Sequence, residues 1–443
     1  GNMRYTKRIR PVTYALYELL DYLKERPVRG RAPRRTLIYC YTFSQRPDDP
    51  KYEAARAEFI RMMALTGISH GVSGVDLGVT VPNGYIDVRS KNLQQLEEFC
   101  KELQAEGKAE NMAVVSLGDE IGLPRPPATD HDAFRAWLRQ TGVKPSDVVP
   151  AAGNDWNRIQ YNPTGEAAKA QPGLYYWSRR YMHHYGIERL RERTELLTSY
   201  LPNAGVGANY SPHHQHHYVG ETHKWVTLFR RSAMTMPWSE DYIWQVPVCS
   251  MQVNFLSLDL FRSGIKAFPD RKIHFYVMPH TPGNTTDDWR RQFYGDLMHG
   301  MKIVNLFELR PLAAAYTENY SNDPRMYHAL RVAFHELGTV EDIVQDGHVP
   351  QADAALWFSE TGDIWDDNRD PFACGKRTLY CAIRHRQLPL DIVTEQDALA
   401  TGKHVAPLSS YKLLYLADRH VSRAASEAIA KWVRAGGVLF ATA

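Results

Sequence analysis

Polar side chains able to do chemistry stand directly after several apolar runs of this 443-residue sequence. They are Asp119, Glu120, Tyr210, Asp241, His280 and Glu308. Carboxyl groups transfer protons or attack electrophilic carbon, and histidine moves a proton near neutral pH. If the runs are parallel strands of one barrel, these side chains meet at its C-terminal end, where barrel active sites are built.

A second chemical cluster is the run His213-His-Gln-His-His217, which Glu221 and His223 follow. On an extended strand, His214 and His216 place their imidazoles on one face, a spacing that could bind zinc. No matching group of acids or histidines stands elsewhere in the sequence. Alternatively, the two histidines form a hydrogen-bonding rim of a binding site, or have no role. We predict no metal and no cofactor.

Aromatic residues make up 11% of the chain, including 25 Tyr and 10 Trp. Some of the tryptophans stand in or beside segments predicted as loops, namely Trp156, Trp177, Trp225, Trp238 and Trp244. A flat aromatic face suits the C–H face of a sugar ring, so these side chains could stack on a carbohydrate. The alternative is that they pack in the core.

Charge and short motifs exclude several classes of partner. The 53 basic and 50 acidic residues give a net charge of +3, so no strong field favours nucleic acid or an anionic membrane. The basic stretch 4–35 is typical of a solvated surface. No nucleotide-binding glycine motif follows a strand, and no apolar run reaches the roughly 20 residues of a membrane span. The five widely spaced cysteines indicate free thiols rather than a disulfide framework.

Strand-like and helical patterns alternate through the first three quarters of the chain, which predicts a parallel sheet. The predicted strands are 36–43, 70–76, 112–120, 205–210, 233–236, 272–278 and 302–308. The predicted helices are 14–23, 52–66, 93–107, 174–200, 252–263 and 287–300. This order favours a (β/α)8 barrel whose eighth strand is hidden in the sequence or lost upstream, and residues 124–172 are predicted to be a loop-rich insert.

The alternation restarts after residue 350 and predicts a smaller, doubly wound α/β domain. Its predicted strands are 354–358, 389–393, 412–416 and 437–441, with helices at 378–387 and 426–435. We expect three regions: a basic helical segment 1–35, a barrel 36–349 and a second domain 350–443. We also expect the second domain to be incomplete and the N-terminus to be truncated, because Gly1 precedes Met3 like a tag remnant. No cellular compartment is therefore predicted.

Two segments resemble glycoside hydrolase family forty-two, the bacterial beta-galactosidases. Residues 275–283, Phe-Tyr-Val-Met-Pro-His-Thr-Pro-Gly, are similar to the family's seventh barrel strand. Residues 411–442 are similar to a strand, helix and strand of its second domain. The resemblance implies a TIM barrel followed by a flavodoxin-like, amidotransferase-like domain that forms trimers. It also implies an oligosaccharide or glycoside as substrate.

The resemblance assigns catalytic roles as well. The family's acid/base glutamate ends the fourth strand in an Asn-Glu pair, which corresponds here to Asp119-Glu120. Glu120 is therefore the implied acid/base, and Asp119 replaces the asparagine. Alternatively, the two acids cap a turn or pair with Arg125.

The family's nucleophile is not preserved, because its glutamate position falls on Pro279. Hydrolysis needs a second carboxylate beside the acid, and Asp241 or Glu308 could supply it. Further residues are predicted to bind substrate. They are Asp119, Tyr210, His214, His216, Trp238, Tyr242, His280 and Arg310.

The sequence thus predicts a glycoside hydrolase of beta-galactosidase-like type, with Glu120 and a non-standard second carboxylate. A catalytically degenerate carbohydrate-binding barrel is the alternative, which Pro279 favours. A metal-dependent hydrolase using the cluster His213–His217 is the third interpretation.

Overall fold

A computed structural model describes residues 12–41, 50–69, 78–211, 221–240, 252–279, 284–307, 323–366, 371–401 and 404–442. Helices and parallel strands alternate in these ranges, which confirms the predicted α/β class. None of the helices in this part of the chain is both long and apolar enough to cross a membrane.

The N-terminal strands form a barrel. They are β1 (Ile38–Tyr41), β2 (Gly84–Asp87), β3 (Met112–Asp119), β4 (Gly205–Asn209), β5 (Trp238–Ser239), β6 (Ile273–Tyr276) and β7 (Met301–Phe307). Parallel pairing gives one sheet of order β1-β7-β6-β5 and another of order β2-β3-β4. A parallel bridge between Tyr210 and Ser239 joins the two sheets. Because all strands run the same way, their carboxyl ends gather at one face.

Most helices of this unit cover the outside of the barrel, and three of them belong to the insert 124–172. The helices are α1 (Val12–Lys24), α2 (Pro50–Thr66), α3 (Leu93–Ala105), α4 (His131–Gln140), α5 (Pro145–Val148), α6 (Gly165–Ala170), α7 (Pro172–Tyr200), α8 (Leu228–Arg230), α9 (Gln252–Ile265), α10 (Thr286–Met298) and α11 (Pro324–Asp346). Helix α3 shows why these segments pack here. Its Leu96, Cys100 and Leu103 recur at helical spacing and are buried, while Asn92 caps its N-terminus with a capping box.

Aromatic side chains fill the barrel interior. Tyr85 of β2 lies 6.2 Å from Trp238 of β5, between ring centroids, so these rings meet across the barrel. Trp238 stacks on His274 at 4.1 Å, and Tyr39 lies 5.7 Å from the same ring. Such layers of large side chains make a packed core rather than a pore. They give the C-terminal face a rigid floor.

The second unit is a four-stranded parallel sheet of order β11-β10-β8-β9. Its strands are β8 (Ala354–Phe358), β9 (Asp391–Thr394), β10 (Leu413–Leu416) and β11 (Val438–Ala441). Its helices are α12 (Glu360–Trp365), α13 (Pro371–His385), α14 (Glu395–Leu399) and α15 (Arg423–Arg434). Strand β8 is an apolar run with almost every residue buried, as expected of a parallel strand covered on both faces.

Three details differ from the sequence prediction. The hidden strand is β2, whose residues Gly-Tyr-Ile-Asp lack a long apolar run. The strand predicted at 233–236 is wrong: this apolar segment is a buried turn bonded to the Val206 carbonyl, and the strand is Trp238–Ser239. The strand predicted at 70–76 lies outside the described residues.

The insert at 124–172 is also more ordered than its loop-like composition predicted. It contains α4, α5 and α6, and it has an aromatic core of its own, in which Phe134 lies 5.4 Å from Tyr181 of α7. Helix α11 was not predicted. It begins at Pro324, a residue type favoured at the first helical position, and Asp323 caps its N-terminus.

Candidate active site

The end of strand β3 aims its two acidic residues differently. The pairing of β3 with β4 shifts register between Ser116 and Asp119, which is a bulge. Gly118 has φ +146° and Glu120 has φ +48°, so the backbone turns sharply on both sides of Asp119. A Cβ on residue 118 would lie 2.6 Å from Ile121 Cγ2. Bulges of this kind redirect side chains at strand ends near functional sites.

Asn209, the last residue of β4, connects two carboxylates. Its Nδ2 donates to Asp119 Oδ1 at 2.9 Å and to Glu240 Oε2 at 2.6 Å. The two oxygens therefore lie no more than about 5.5 Å apart, the sum of 2.9 and 2.6 Å. Asn209 is 2% exposed and Glu240 is 4% exposed. Strands β3, β4 and β5 thus bring one acid, one amide and a second acid together.

The orientation of this amide follows from its neighbours. If the amide group of Asn209 were flipped, its Oδ1 would face two carboxylate oxygens, which are also acceptors. As placed, the Nδ2 hydrogens face Asp119 and Glu240, while Oδ1 of Asn209 is buried and has no hydrogen-bond partner among the described residues. A buried acceptor of this kind is normally satisfied, and a hydroxyl group entering the site could donate to it.

Glu120 stands at the edge of this arrangement. Its side chain is exposed, and its negative charge favours the protonated form of Lys224. Burial lowers the pKa of Lys224, while Glu221 and Glu120 act in the opposite direction. The Lys224 Nζ lies 4.3 Å from the centroid of the Tyr210 ring. Asp119, rather than Glu120, supplies the oxygen that Asn209 holds, and the acid/base role of Glu120 stays a prediction.

Tyr210 and Trp238 were predicted to bind substrate, and both are packed in the interior. Tyr210 has 0% exposure, its hydroxyl lies 3.7 Å from Met234 Sδ, and burial raises its pKa far above the usual value. Trp238 is 1% exposed beneath the site. A direct contact of either ring with substrate stays a prediction.

The remaining predicted site residues lie outside the described ranges. They are Asp241, Glu308, His214, His216, Tyr242, His280 and Arg310. In the part of the chain that the structure describes, no group of three or more His, Cys, Asp or Glu side chains is placed to hold a metal.

Sequence reasoning missed Asn209 and Glu240. Both had a usable signal, because Asn209 lies in the predicted strand 205–210 and Glu240 directly precedes the predicted Asp241. Choosing between adjacent acids depends on the exact end of β5, and this strand was predicted five residues too early. The bulge in β3 could not be found from the residue pattern.

Comparison with known proteins places the fold. No family model matches the sequence, and no curated protein is similar to it at significant level. Solved structures do match. The beta-galactosidase from Bacillus circulans sp. alkalophilus has a TM-score of 0.62 and 14% identity, covering 93% of this chain and 71% of that one.

Two further structures agree. The beta-galactosidase from Marinomonas ef1 has a TM-score of 0.60 and 16% identity, covering 92% of this chain and 75% of that one. A GH42 (glycoside hydrolase family forty-two) beta-galactosidase from G. stearothermophilus has a TM-score of 0.59 and 14% identity, covering 94% and 72%. The chain therefore has the fold of these enzymes, a TIM barrel with an additional domain.

Proposed function

We propose that the chain hydrolyses a glycosidic bond, with Glu240 as the second carboxylate and Asp119 or Glu120 as the proton donor. The observation that carries this proposal is the single amide of Asn209 holding Asp119 and Glu240 together at the C-terminal end of the barrel. The likeness of the fold to beta-galactosidases supports a glycoside as substrate, with a beta-galactoside as the first to test.

The chemistry follows from two carboxyl groups on either side of the bond. One gives its proton to the leaving oxygen, and the other attacks the anomeric carbon or activates water. Retaining enzymes hold the two groups about 5–5.5 Å apart, and inverting enzymes about 6.5–9.5 Å. With Asp119 as the proton donor, the two oxygens that Asn209 holds within about 5.5 Å of each other favour retention. The Asn209 amide keeps both acids in place without adding a competing charge.

We also propose that residues 36–349 form the barrel domain and 350–443 a flavodoxin-like domain. If β8 to β11 are numbered 1 to 4, the order of the strands across the second sheet is 2-1-3-4, which agrees with the start of the flavodoxin order. Trimer formation remains a proposal from family resemblance.

Kinetics on aryl glycosides test the catalytic proposal. With 4-nitrophenyl β-galactoside and related sugars as substrates, we expect Glu240→Gln and Asp119→Asn to lower kcat/KM at least 100-fold each. Glu120→Gln distinguishes the two proton donors: a loss of at least 100-fold assigns the proton to Glu120, and a loss below tenfold assigns it to Asp119. Asp353→Asn is the control, since Asp353 forms an exposed pair with Lys412 in the second unit at 2.9 Å, and it should stay within threefold.

A non-catalytic carbohydrate-binding barrel is the second candidate. Pro279 favours it, because this buried residue corresponds by sequence resemblance to the family's nucleophile. If the wild type hydrolyses none of these glycosides but binds galactose or an oligosaccharide in calorimetry, and Glu240→Gln weakens that binding, the second candidate replaces the first.

A further inference from the structure

The strand order of the second sheet reverses between β8 and β10. Open α/β sheets usually bind ligands at such a point. Here the domain's own side chains fill it. Lys376 Nζ lies 2.7 Å from Asp418 Oδ1, and Ser359 Oγ donates to Asp418 Oδ2 at 2.8 Å. These side chains are buried, and even a Cβ on Gly362 would lie 2.5 Å from Asp418 Oδ2.

A backbone N–H of the barrel contacts this end of the second sheet. The N–H of Thr222 donates to Asp363 Oδ2 at 2.8 Å, and Asp363 Oδ1 lies 3.5 Å from Lys376 Nζ. Thr222 is 2% exposed and immediately precedes a π-helical turn, His223–Thr227. One carboxylate of the second domain is therefore shared between its own lysine and the start of a barrel turn.

A second contact links the second domain to the same turn through a histidine of α7. His183 Nδ1 of α7 and Glu360 Oε1 are 2.7 Å apart, and Glu360 is the first residue of α12. The His183 ring stacks on His223, with centroids 3.4 Å apart and planes 6° from parallel. Burial, followed by the neighbouring His183, lowers the pKa of His223 well below its usual value. A neutral His223 ring can stack without charge repulsion.

The turn 222–227 lies next to the candidate active site. Lys224 follows His223, and its Nζ lies over the Tyr210 ring at 4.3 Å. Tyr210 is adjacent in sequence to Asn209, which holds the two carboxylates. A π-helical turn is a rare conformation found mostly at functional sites, and its first N–H groups need partners from elsewhere. Asp363 supplies one of them.

We propose that Asp363 and Glu360 are positioning residues, through which the second domain holds the barrel turn 222–227 and its Lys224 against the candidate active site. The end of the second sheet at its strand reversal is thus occupied by Lys376, Asp418 and Ser359, and the neighbouring Asp363 binds a backbone N–H of the barrel. This proposal is independent of the reaction that the barrel catalyses.

Amide hydrogen exchange of the full chain tests it, with the turn's own N–H groups as reporters. In Asp363→Ala, we expect exchange of the amides at 222–227 to become at least tenfold faster, while those of β4 keep their wild-type rates. Asp363→Asn retains an oxygen acceptor and should restore most of the protection. Asp353→Ala, which breaks an exposed ion pair with Lys412 in the same domain, is the control and should change nothing in the turn.

Glu360→Gln provides a second measurement if Asp363→Ala does not fold. It should accelerate exchange in the turn by a smaller factor, because the contact with His183 is retained without its charge. Unchanged rates at 222–227 in both Asp363→Ala and Glu360→Gln would overturn the proposal. So would an equal acceleration across β4 and α7, since that is general destabilisation.

Discussion

Asn209 is the residue on which the candidate site depends. It is an uncharged donor between two acids, and an amide is the side chain that can satisfy both at once without a net charge. Sharing one donor also keeps Asp119 and Glu240 within reach of one bond of a substrate. The family resemblance pointed to Asp119 and Glu120, and both Glu240 and the amide that joins it to Asp119 were missed.

Replacing Asn209 with aspartate should show how strongly the two acids depend on the amide. Asn209→Asp removes the donor and adds a third carboxylate in a buried position, which like charges disfavour. We expect a loss of about 2–3 kcal/mol in the free energy of unfolding at pH 8 and a smaller loss at pH 5, where protonation relieves the repulsion. Urea unfolding at the two pH values measures this.

Asn203 provides the matched control, because it is exposed and its Nδ2 also faces an acid, Glu110 Oε2, at 3.2 Å. Asn203→Asp should change stability by no more than about 0.5 kcal/mol at either pH. An equally small effect of Asn209→Asp would contradict the importance of the shared amide.

At the scale of single elements, the end of β3 decides which acid faces the barrel axis. A regular strand would point Asp119 and Glu120 to opposite faces of the sheet, and the bulge changes the direction of both side chains. Gly118 is the residue that allows this turn, because its φ is positive and a Cβ at this position would lie 2.6 Å from Ile121 Cγ2.

Gly118→Ala is therefore expected to disturb both the strand end and the site. The added Cβ meets Ile121 Cγ2 at 2.6 Å in a backbone conformation that alanine disfavours, at a cost of about 1–3 kcal/mol in thermal or urea unfolding. Activity on the best aryl glycoside should fall with it, because Asp119 moves away from Asn209. Gly122→Ala, where a Cβ meets nothing within 4 Å, should leave both measurements unchanged.

At the scale of the whole molecule, charged and polar side chains join the barrel to the second unit. Arg230 of the barrel pairs with Asp397 of the second unit, with its Nη2 3.0 Å from Asp397 Oδ2 and both side chains almost fully buried. Lys266 pairs with Asp391 at 2.9 Å nearby. Buried pairs of this kind set the relative position of two bodies more than they stabilise either one.

Arg230→Met should therefore weaken the coupling of the two units. It leaves the Asp397 carboxylate buried without its cation, which costs about 3 kcal/mol or more. We expect calorimetry to show two separated unfolding transitions in the variant and one in the wild type. Lys412→Met, at an exposed pair with Asp353, should lose less than about 1 kcal/mol and keep the wild-type profile.

Asp363 makes the stability of the second unit depend on pH. Burial raises its pKa to about 6, while Lys376 lowers it and Asp418 raises it. The native state then binds a proton more tightly than the unfolded chain, in which the pKa has its ordinary value of 3.8. Between these two values the free energy of unfolding falls as pH rises, by about 3 kcal/mol at most, and it is constant above.

Asp363→Asn removes this titration. Its stability relative to the wild type should therefore improve as pH rises from about 4 to 7, in urea unfolding monitored across that range. Asp353→Asn, on the exposed pair, should follow the wild-type curve. A parallel pH dependence in Asp363→Asn and wild type would show that another group titrates.

The sequence by itself determined the alternation of strands and helices, since the periods of apolar residues encode it locally. Strand β8 lies at 354–358, as its continuous apolar run predicted, and α7 begins within two residues of its predicted start. The acids at the end of β3 were also visible, as was the likeness of the order of elements to a barrel followed by a second domain.

Only the tertiary structure decided which of these residues meet. Asp119 and Asn209 end two strands and Glu240 directly follows a third, so their contact depends on barrel closure, on the bulge at Gly118 and on where β5 ends. The contacts of Thr222 with Asp363 and of His183 with Glu360 join residues more than a hundred positions apart. Local patterns carry no record of such pairs, because their spacing is set by how the packed elements fit together.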